Sequence, residues 1–338
     1  MDSRSRNAPR DNETHVSGNG YATDLGRATC GDSLEVMRGL SSATIDLVLT
    51  SPPYALHFKK EYGNVDQGEY VEWFLPFASE IKRILKPDGS FVLNVGGAWT
   101  PGAPERSLYH FRLLLALCDR VGFHLCQEFF WYNPAKLPAP AEWVNVRRVR
   151  VKDAVEYIFW LSPTPHPRAD NARVLQPYSR DMERLIRRGL KATKRPSGHL
   201  VKQSFAVDKG GSIPPNLIEC GNNESNSRYI TETKRLGRKV HPARFPAELP
   251  RFFIEFLTQP GDVVLDPFAG SNTTGAVAER LGRRWIAIEK SSEYLSDSEL
   301  RFQGDDATEP DLRQRALFPV ATSDRTGGRL RRSREPKP

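Results

Sequence analysis

Several features that would indicate other classes of protein are scarce in this sequence. Its 338 residues include only four cysteines, Cys30, Cys118, Cys126 and Cys220, and none of them forms a C-x-x-C pair. This spacing excludes a disulfide framework and a zinc site of the usual pattern, so we expect no metal site and a reducing, cytoplasmic location. No stretch approaches the roughly 18 apolar residues of a membrane span. The first twenty residues are polar, so we expect no secretory signal.

Negative charge is scarce in the middle of the chain. The formal net charge is +8, and the segment from Val144 to Gly210 holds fifteen Lys and Arg against six Asp and Glu. A localised basic segment usually binds a polyanion, most often nucleic acid, although a solvated basic face has the same composition. We therefore expect double-stranded DNA as a partner and no membrane.

Apolar strand patterns alternate with helical patterns along most of the chain. Strands are predicted at Ile45–Thr50, Phe91–Val95, Ala154–Leu161, Asp262–Asp266 and Trp285–Glu289, with helical stretches between several of them. Fully apolar strands that alternate with helices are typical of an α/β fold whose mainly parallel sheet is covered on both faces. The sequence thus predicts a doubly wound α/β domain.

Composition divides the chain into five segments. Residues 1–22 and 305–338 are polar and are predicted to be largely disordered. Residues 23–135 and 240–304 would form two halves of the α/β domain. Residues 136–239 are basic, rich in Pro and Gly and weakly periodic, which favours an inserted domain over a loop. The strand pattern near residues 154–161 is the exception, because it would also suit the sheet.

The first candidate site is DVVLDPFAGSNTT, in which a strand ends at Asp266 and a helix begins near Asn272 or Thr273. Doubly wound sheets bind ligands at the carboxyl ends of their strands. Gly270 would let a ligand approach the backbone, and free N–H groups at the helix start can bind a carboxylate. Glu289 ends the next strand, where an acid suits the two hydroxyls of a ribose. An ordinary strand–helix turn is the alternative.

The second candidate site is TSPPY, Thr50–Tyr54, directly after an apolar strand. Two prolines fix the backbone and remove two donors, so that carbonyl oxygens can point outward as acceptors. Ser51 adds a hydroxyl and Tyr54 an aromatic face. An exocyclic amino group needs acceptors for its hydrogens and a surface that stacks on its ring, although a proline turn with a tyrosine is also common as plain structure.

Together the two strings resemble the amino-directed DNA methyltransferases that use S-adenosylmethionine (AdoMet). The cofactor motif follows the catalytic motif with a recognition region between them, which is the permuted order of the β group. Ser51 favours cytosine-N4 methylation, because adenine-N6 enzymes more often carry Asp or Asn there. Phrases from about Gly31 to Tyr294, such as KPDGSFV, LPAPAEWVN and HPARFPAELP, closely resemble a cytosine-N4 modification enzyme, insert included. The resemblance implies the AdoMet-dependent methyltransferase fold, circularly permuted, with an inserted target-recognition domain.

The resemblance also implies roles for single residues. The catalytic residues would be Ser51, Pro52, Pro53 and Tyr54, with Tyr54 stacked on a flipped cytosine. Cofactor-binding residues would be Asp32, His241, Pro242, Phe245, Asp266, Phe268, Gly270, Ser271, Asn272, Thr273 and Glu289. Candidate DNA contacts are Arg147, Arg148, Arg150, Lys152, Lys194, Arg195, Ser197 and His199. Asp32 could instead cap a helix, and His241-Pro242 could be a helix-entry turn.

Asn94 departs from the pattern, because an acid is expected at this position and an amide cannot remove a proton. Cytosine-C5 methylation is disfavoured, since it normally uses a Pro-Cys pair and no cysteine here follows a proline. Two alternatives stay open, an adenine-N6 methyltransferase and a catalytically silent DNA-binding protein. On the main interpretation the chain is a monomer that protects CAGCTG sites, paired genetically but not physically with a restriction endonuclease.

Overall fold

The computed structural model describes residues 20–55, 65–189, 193–194, 200–201, 203–222, 228–242 and 246–303. The strands in these ranges are β1 Gly20–Ala22, β2 Gly26–Cys30, β3 Ile45–Thr50, β4 Leu85–Val95, β5 His124–Tyr132, β6 Val155–Ser162, β7 Thr193–Lys194, β8 Leu200–Val201, β9 Leu217–Glu219, β10 Val263–Asp266 and β11 Arg284–Glu289. The helices are α1 Ser33–Arg38, α2 Tyr70–Ile84, α3 Tyr109–Asp119, α4 Arg180–Arg188, α5 Arg228–Arg235, α6 Glu248–Leu257, α7 Thr273–Arg280 and α8 Ser292–Ser298. No helix within the described ranges is long and apolar enough to cross a membrane.

One large sheet organises the described residues. It has nine strands in the order β1-β2-β11-β10-β3-β4-β6-β5-β9. β2, β11, β10, β3 and β4 run parallel to one another, whereas β6 is antiparallel to both of its neighbours. This arrangement confirms the predicted α/β fold with a mainly parallel sheet.

β10 and β3 are neighbours at the point where the direction of winding changes. From β10 the chain passes through α7 to β11 on one side, and from β3 it passes through α2 to β4 on the other. Such a reversal opens a crevice at the carboxyl ends of the two strands, which is where open α/β sheets bind ligands. Both candidate motifs begin there.

Apolar side chains cover the two faces of the sheet separately. Leu47 and Leu49 of β3 belong to the core under α6, whereas Val48 belongs to the core under α2 and α3. Successive residues of a strand point to opposite faces, so a continuous apolar run is needed when both faces are buried. The IDLVLT run of the sequence satisfies this requirement.

Two predicted boundaries were wrong. β1 already begins at Gly20, because the Tyr21 hydroxyl lies 2.7 Å from Ser298 Oγ and its ring packs against Trp285 and Phe302. β4 begins at Leu85 rather than at Phe91, so the strand is six residues longer than predicted. β6 lies between β4 and β5 in the sheet, which is the arrangement left open for the strand pattern near residues 154–161. The predicted arms lie mostly outside the described residues.

Candidate active site

Asp266 joins the two candidate motifs. Thr50 Oγ1 donates a hydrogen bond to Asp266 Oδ1 over 2.7 Å, and Thr274 Oγ1 donates to Oδ2 over 2.8 Å. The backbone N–H of Phe268 also donates to Oδ1, over 3.1 Å. The carboxylate thus ties the end of β3 to the turn after β10, with its oxygens engaged by donors from the chain itself.

Burial perturbs the titration of this carboxyl group. The Asp266 side chain is almost fully buried, and loss of solvation raises its pKa from 3.8 to about 6. The hydrogen bonds from Thr50, Thr274 and Phe268 act in the opposite direction. The fold therefore holds an ionised group near neutral pH at an energetic cost, which these three donors partly offset.

Gly270 and His241, two of the predicted cofactor-binding residues, lie in contact. Gly270 has a φ of +53°, and a Cβ on it would come within 3.0 Å of the His241 ring. The buried ring of His241 also packs edge-on against Tyr294, at 4.4 Å between centroids. Pro242 follows in the chain, and Phe245 lies outside the described residues. The glycine therefore provides a backbone cradle that a side chain would fill.

Glu289 and Phe268 border this cradle. Glu289 Oε2 accepts a hydrogen bond from Gly270 N and Oε1 accepts one from Ser291 N, both over 2.8 Å. A carboxylate has about four acceptor sites, so capacity remains for ligand hydroxyls. The half-buried Phe268 ring packs with Phe77 and with Trp73, a residue that the sequence did not single out. The acid suits the hydroxyls of a ribose, and the apolar wall beside the glycine turn suits a planar ring.

Three predicted cofactor residues direct their side chains into the protein. Asn272 caps α7 by accepting from Gly275 N over 3.0 Å, and its Nδ2 donates to the Tyr21 hydroxyl over 2.9 Å. Ser271 Oγ accepts from Arg301 over 3.1 Å, and Thr273 is buried beside it. The backbone N–H of Asn272 also donates within the turn, to the carbonyl of Ala269 over 2.7 Å. Ser271 and Thr273 would therefore reach a ligand through their backbone N–H groups rather than through their side chains.

Asp32 has the capping geometry that was the alternative for this residue. Its Oδ1 accepts hydrogen bonds from Leu34 N at 3.0 Å and Glu35 N at 3.4 Å, at the start of α1. The next residue, Ser33, donates to the carbonyl of Pro267 and so joins α1 to the glycine turn. Asp32 is exposed beside that turn. A contact between Asp32 and the cofactor stays a prediction.

A hydrogen-bonded network surrounds Tyr54. Its hydroxyl donates to Glu156 Oε2 over 2.7 Å, while Ser51 Oγ and Asn94 Nδ2 donate to it over 3.2 and 3.0 Å. Burial, with the charge of Glu156, raises the pKa of Tyr54 well above its usual value. The tyrosine ring rests on Gly96, where a Cβ would overlap it. Ser51, Tyr54 and Asn94 are thus brought together by the ends of β3 and β4.

The two prolines of the loop differ in their surroundings. Pro52 is buried, and the carbonyl of Pro53 accepts a hydrogen bond from the Tyr70 hydroxyl over 2.8 Å. The Pro53 carbonyl is thus already engaged, and a catalytic role for Pro52 stays a prediction. Tyr70 is fully buried in α2, so it anchors the loop to the core.

Sequence reasoning missed Glu156 and Lys136. Glu156 lies in β6, and Lys136 Nζ contacts its Oε1 at 2.9 Å. The signal was present, because an acidic residue within a strand of apolar residues is rarely buried unless it is paired. The pair connects the network around Tyr54 to the segment that follows β5.

The predicted DNA-contact residues fall into two groups. Arg147 and Arg148 are exposed. The Arg147 guanidinium lies over the Trp143 ring at 5.1 Å, and its Nε pairs with Glu142 Oε1 on the surface at 2.8 Å. Arg150 is ion-paired with Asp153 at 3.1 Å, and Lys152 donates to the carbonyls of Pro134 and Lys136. The latter two therefore hold the segment in shape. Lys194 lies in β7, and Arg195, Ser197 and His199 lie outside the described residues.

The same segment exposes apolar side chains. Its exposed apolar residues are Leu137, Val146, Val149 and Val151, with exposed fractions between 62 and 86%. The three valines flank Arg147 and Arg148 in the chain, and Leu137 directly follows Lys136. The segment from 136 to 153 thus combines positive charge with an apolar surface beside the network around Tyr54.

The family model for DNA methylases, the N6/N4 class, matches residues 45–300. The chain belongs to this family. The matched range spans both motifs and the strands that carry them, so the family resemblance seen in the sequence is confirmed. The chain is therefore a DNA methyltransferase that uses AdoMet.

Individual relatives agree with this assignment. The chain is 52% identical to the type II methyltransferase M.PvuII of Proteus hauseri over 292 residues, covering 86% of this chain and 87% of the relative. It is 26% identical to M.BglII of Bacillus subtilis over 84% of this chain and 72% of that relative. A solved structure of the PvuII cytosine-N4-specific DNA methyltransferase superposes with a TM-score of 0.70 and 47% identity, over 85% and 89% of the two chains.

Gly270→Trp should abolish most cofactor binding. The new side chain would meet the His241 ring and fill the cradle, so we expect AdoMet affinity to fall at least about tenfold, or roughly 1.4 kcal/mol. Gly282→Trp is the matched control, because Gly282 also has a positive φ of +70° but open space around it. Calorimetry that finds equal AdoMet affinity in the two variants would contradict the placement of the cofactor.

Proposed function

We propose that the chain transfers a methyl group from AdoMet to N4 of a cytosine within a specific site in duplex DNA. The observation that carries this proposal is the Thr50–Asp266 hydrogen bond of 2.7 Å, because it joins the SPPY loop to the cofactor turn. The loop for the methyl acceptor and the turn for the methyl donor thus lie at the ends of two adjacent strands, β3 and β10. Ser51 at the head of the loop and 52% identity to M.PvuII favour cytosine N4 over adenine N6.

The residues of the two loops would divide the work between them. AdoMet, when bound, supplies an electrophilic methyl group. Glu289 and the backbone of the turn at Gly270 hold the cofactor, and Phe268 with Trp73 forms the apolar wall beside it. A base inside a duplex is inaccessible, so the target cytosine is flipped out at a cost of a few kcal/mol. Tyr54 stacks on it, and Ser51 accepts a hydrogen bond from its amino group.

Positioning provides most of the catalysis in this scheme. A reaction between two bound partners gains its rate from their alignment, and no covalent bond to the enzyme is needed. The loop is rigid enough for this task, since two prolines restrict it and Tyr70 holds the Pro53 carbonyl at 2.8 Å. The transfer is therefore a direct in-line displacement.

The segment from 136 to 153 is the part of the described chain that we assign to DNA contact near the flipped base. Exposed Arg147 and Arg148 suit phosphate oxygens, and the exposed valines suit insertion between base steps, a device of many proteins that deform DNA. The Lys136–Glu156 pair places this segment next to Tyr54. Lys194, Arg195, Ser197 and His199 remain predicted groove or phosphate contacts.

The target we propose is the palindrome CAGCTG, modified at its inner cytosine, one strand at a time. Base-edge contacts read the sequence, and the insert keeps phrases such as LPAPAEWVN and GGSIPPNL that divergent specificity would change. The test is to express the chain in a host that lacks this modification and challenge the recovered plasmid with PvuII endonuclease. We expect full protection of the plasmid that encodes the wild-type chain, and weaker protection of the plasmid that encodes the slower Tyr54→Ala variant.

Nucleoside mass analysis of the same plasmids separates the alternatives. We expect N4-methylcytosine in DNA from the wild-type chain. N6-methyladenine instead would favour the adenine enzyme, and no methylated base would favour a silent DNA-binding protein. Complete cutting despite abundant N4-methylcytosine would show that a different sequence is read.

We further propose that the chain acts as a monomer in the cytoplasm, on chromosomal DNA, as the protective half of a restriction–modification system. Its endonuclease would be a separate protein that shares the target and no contact surface. Each half of a palindrome would then be methylated in an independent encounter. Sedimentation of the chain with and without a CAGCTG duplex tests the stoichiometry.

A further inference from the structure

Glu156 provides the one carboxylate among the described partners of Tyr54. Its Oε2 lies 2.7 Å from the Tyr54 hydroxyl, and its Oε1 is held by Lys136 at 2.9 Å. The side chain of Glu156 is only 16% exposed. Asn94, where the family pattern predicts an acid, contributes an amide to the same hydroxyl at 3.0 Å. The carboxylate of this network is therefore supplied by β6, the antiparallel neighbour of β4.

The carboxylate determines the direction of the hydrogen bonds. An ionised carboxylate only accepts, so the single proton of Tyr54 must point to Glu156. The Tyr54 oxygen then accepts from Ser51 Oγ at 3.2 Å and from Asn94 Nδ2. Ser51 uses its only proton in that bond, so its oxygen can only accept. Asn94 Nδ2 donates to this oxygen at 3.4 Å, which leaves one lone pair for the cytosine amino group. Burial raises the pKa of Tyr54, which keeps its proton in place.

We propose that Glu156 is the positioning residue that orients Ser51 as an acceptor for the cytosine amino group and takes up the proton that methyl transfer releases. The inference rests on the proposed cytosine-N4 methyltransferase activity. It assigns to β6 the function that the missing acid at position 94 would have.

The proton released by methyl transfer would pass from the cytosine amino group to Glu156 through Ser51 and Tyr54. The N4 lone pair forms the new N–C bond while the methyl–sulfur bond breaks, and its electron pair stays on sulfur. The methylated nitrogen, now positive, gives a proton to Ser51 Oγ. Ser51 passes its own proton to Tyr54, and Tyr54 passes its own to Glu156 Oε2. Solvent then removes the proton from the carboxyl group after the product leaves.

Glu156→Gln tests the proposal. The new amide can donate a hydrogen bond to the Tyr54 hydroxyl. Tyr54 would then donate to Ser51, and the Ser51 proton would point at the cytosine amino group. We expect kcat to fall at least about tenfold, with KM for DNA within about twofold. DNA affinity and base flipping, followed without cofactor by the fluorescence of 2-aminopurine at the target position, should be unchanged. Glu72→Gln, which removes an exposed carboxylate paired with Arg120, is the matched control.

A second variant separates proton handling from packing. Adding Asn94→Asp to E156Q returns a carboxylate to Tyr54, and we expect kcat to recover most of the loss. The double variant lacks the Lys136 pair just as E156Q does, so a purely structural role of Glu156 predicts no recovery.

The possible failures are distinct. No N4-methylcytosine from the wild-type chain would overturn the proposed function. An active wild type with an equally active E156Q, or with no recovery in the double variant, would overturn the assignment of Glu156 alone.

Discussion

Tyr54→Ala should leave a folded protein that binds AdoMet but has lost most of its turnover. Stacking of a base on an aromatic ring contributes ~1–3 kcal/mol, so loss of the ring alone should slow methyl transfer by roughly one to two decades. The variant also lacks the hydroxyl to which Ser51, Asn94 and Glu156 are hydrogen-bonded. Single-turnover methylation of a CAGCTG duplex measures the effect, and circular dichroism verifies the fold.

Tyr54→Phe separates the ring from the hydroxyl. From the sequence, the ring alone should be sufficient and Phe largely tolerated. The structure changes this expectation, because the hydroxyl has three hydrogen-bond partners, and Phe would leave buried polar groups unpaired. We now expect the Phe variant to fall between wild type and the Ala variant. Wild-type turnover in the Ala variant would show that Tyr54 only fills space.

Asp266→Ala should have the largest effect on stability and also weaken AdoMet binding. The change leaves two buried hydroxyls, Thr50 and Thr274, and the Phe268 N–H without their acceptor, and each unpaired group costs about 1–3 kcal/mol. We therefore expect a loss of at least about 3 kcal/mol in the free energy of unfolding. Urea denaturation and calorimetry with AdoMet measure the two effects.

Asp266→Asn is the matched control, because it keeps the shape and removes the charge. We expect a smaller loss, since the threonine hydroxyls can rotate to accept from the new amide. Folding raises the pKa of Asp266 from 3.8 to about 6, so the wild type should gain about 1 kcal/mol of stability between pH 7 and pH 5. The Asn variant should lack that gain. An Ala variant as stable as wild type would contradict the role of this carboxylate as the tie between motifs.

The position of Asp266 could be predicted from the sequence, but its hydrogen-bond partner could not. Asp266 follows an apolar strand and precedes a glycine turn, so its position at a strand end was predictable. Its bond to Thr50 was not, because the two residues are 216 positions apart and meet only when β10 pairs with β3. The sequence also did not predict that the side chains of residues 271–273 point into the protein, because a family motif does not show the direction of its side chains.

The sequence by itself determined the α/β class, the place of both motifs at strand ends and the family. These follow from local patterns, because an apolar run buried on both faces and a glycine turn before a helix need no distant partner to be recognised. Only the tertiary structure decided that β6 enters the sheet beside β4, and with it that Glu156 reaches Tyr54. Which strands pair depends on the burial of whole sheet faces and not on local sequence. Strand pairing therefore brings together residues whose contact cannot be predicted from their positions in the chain.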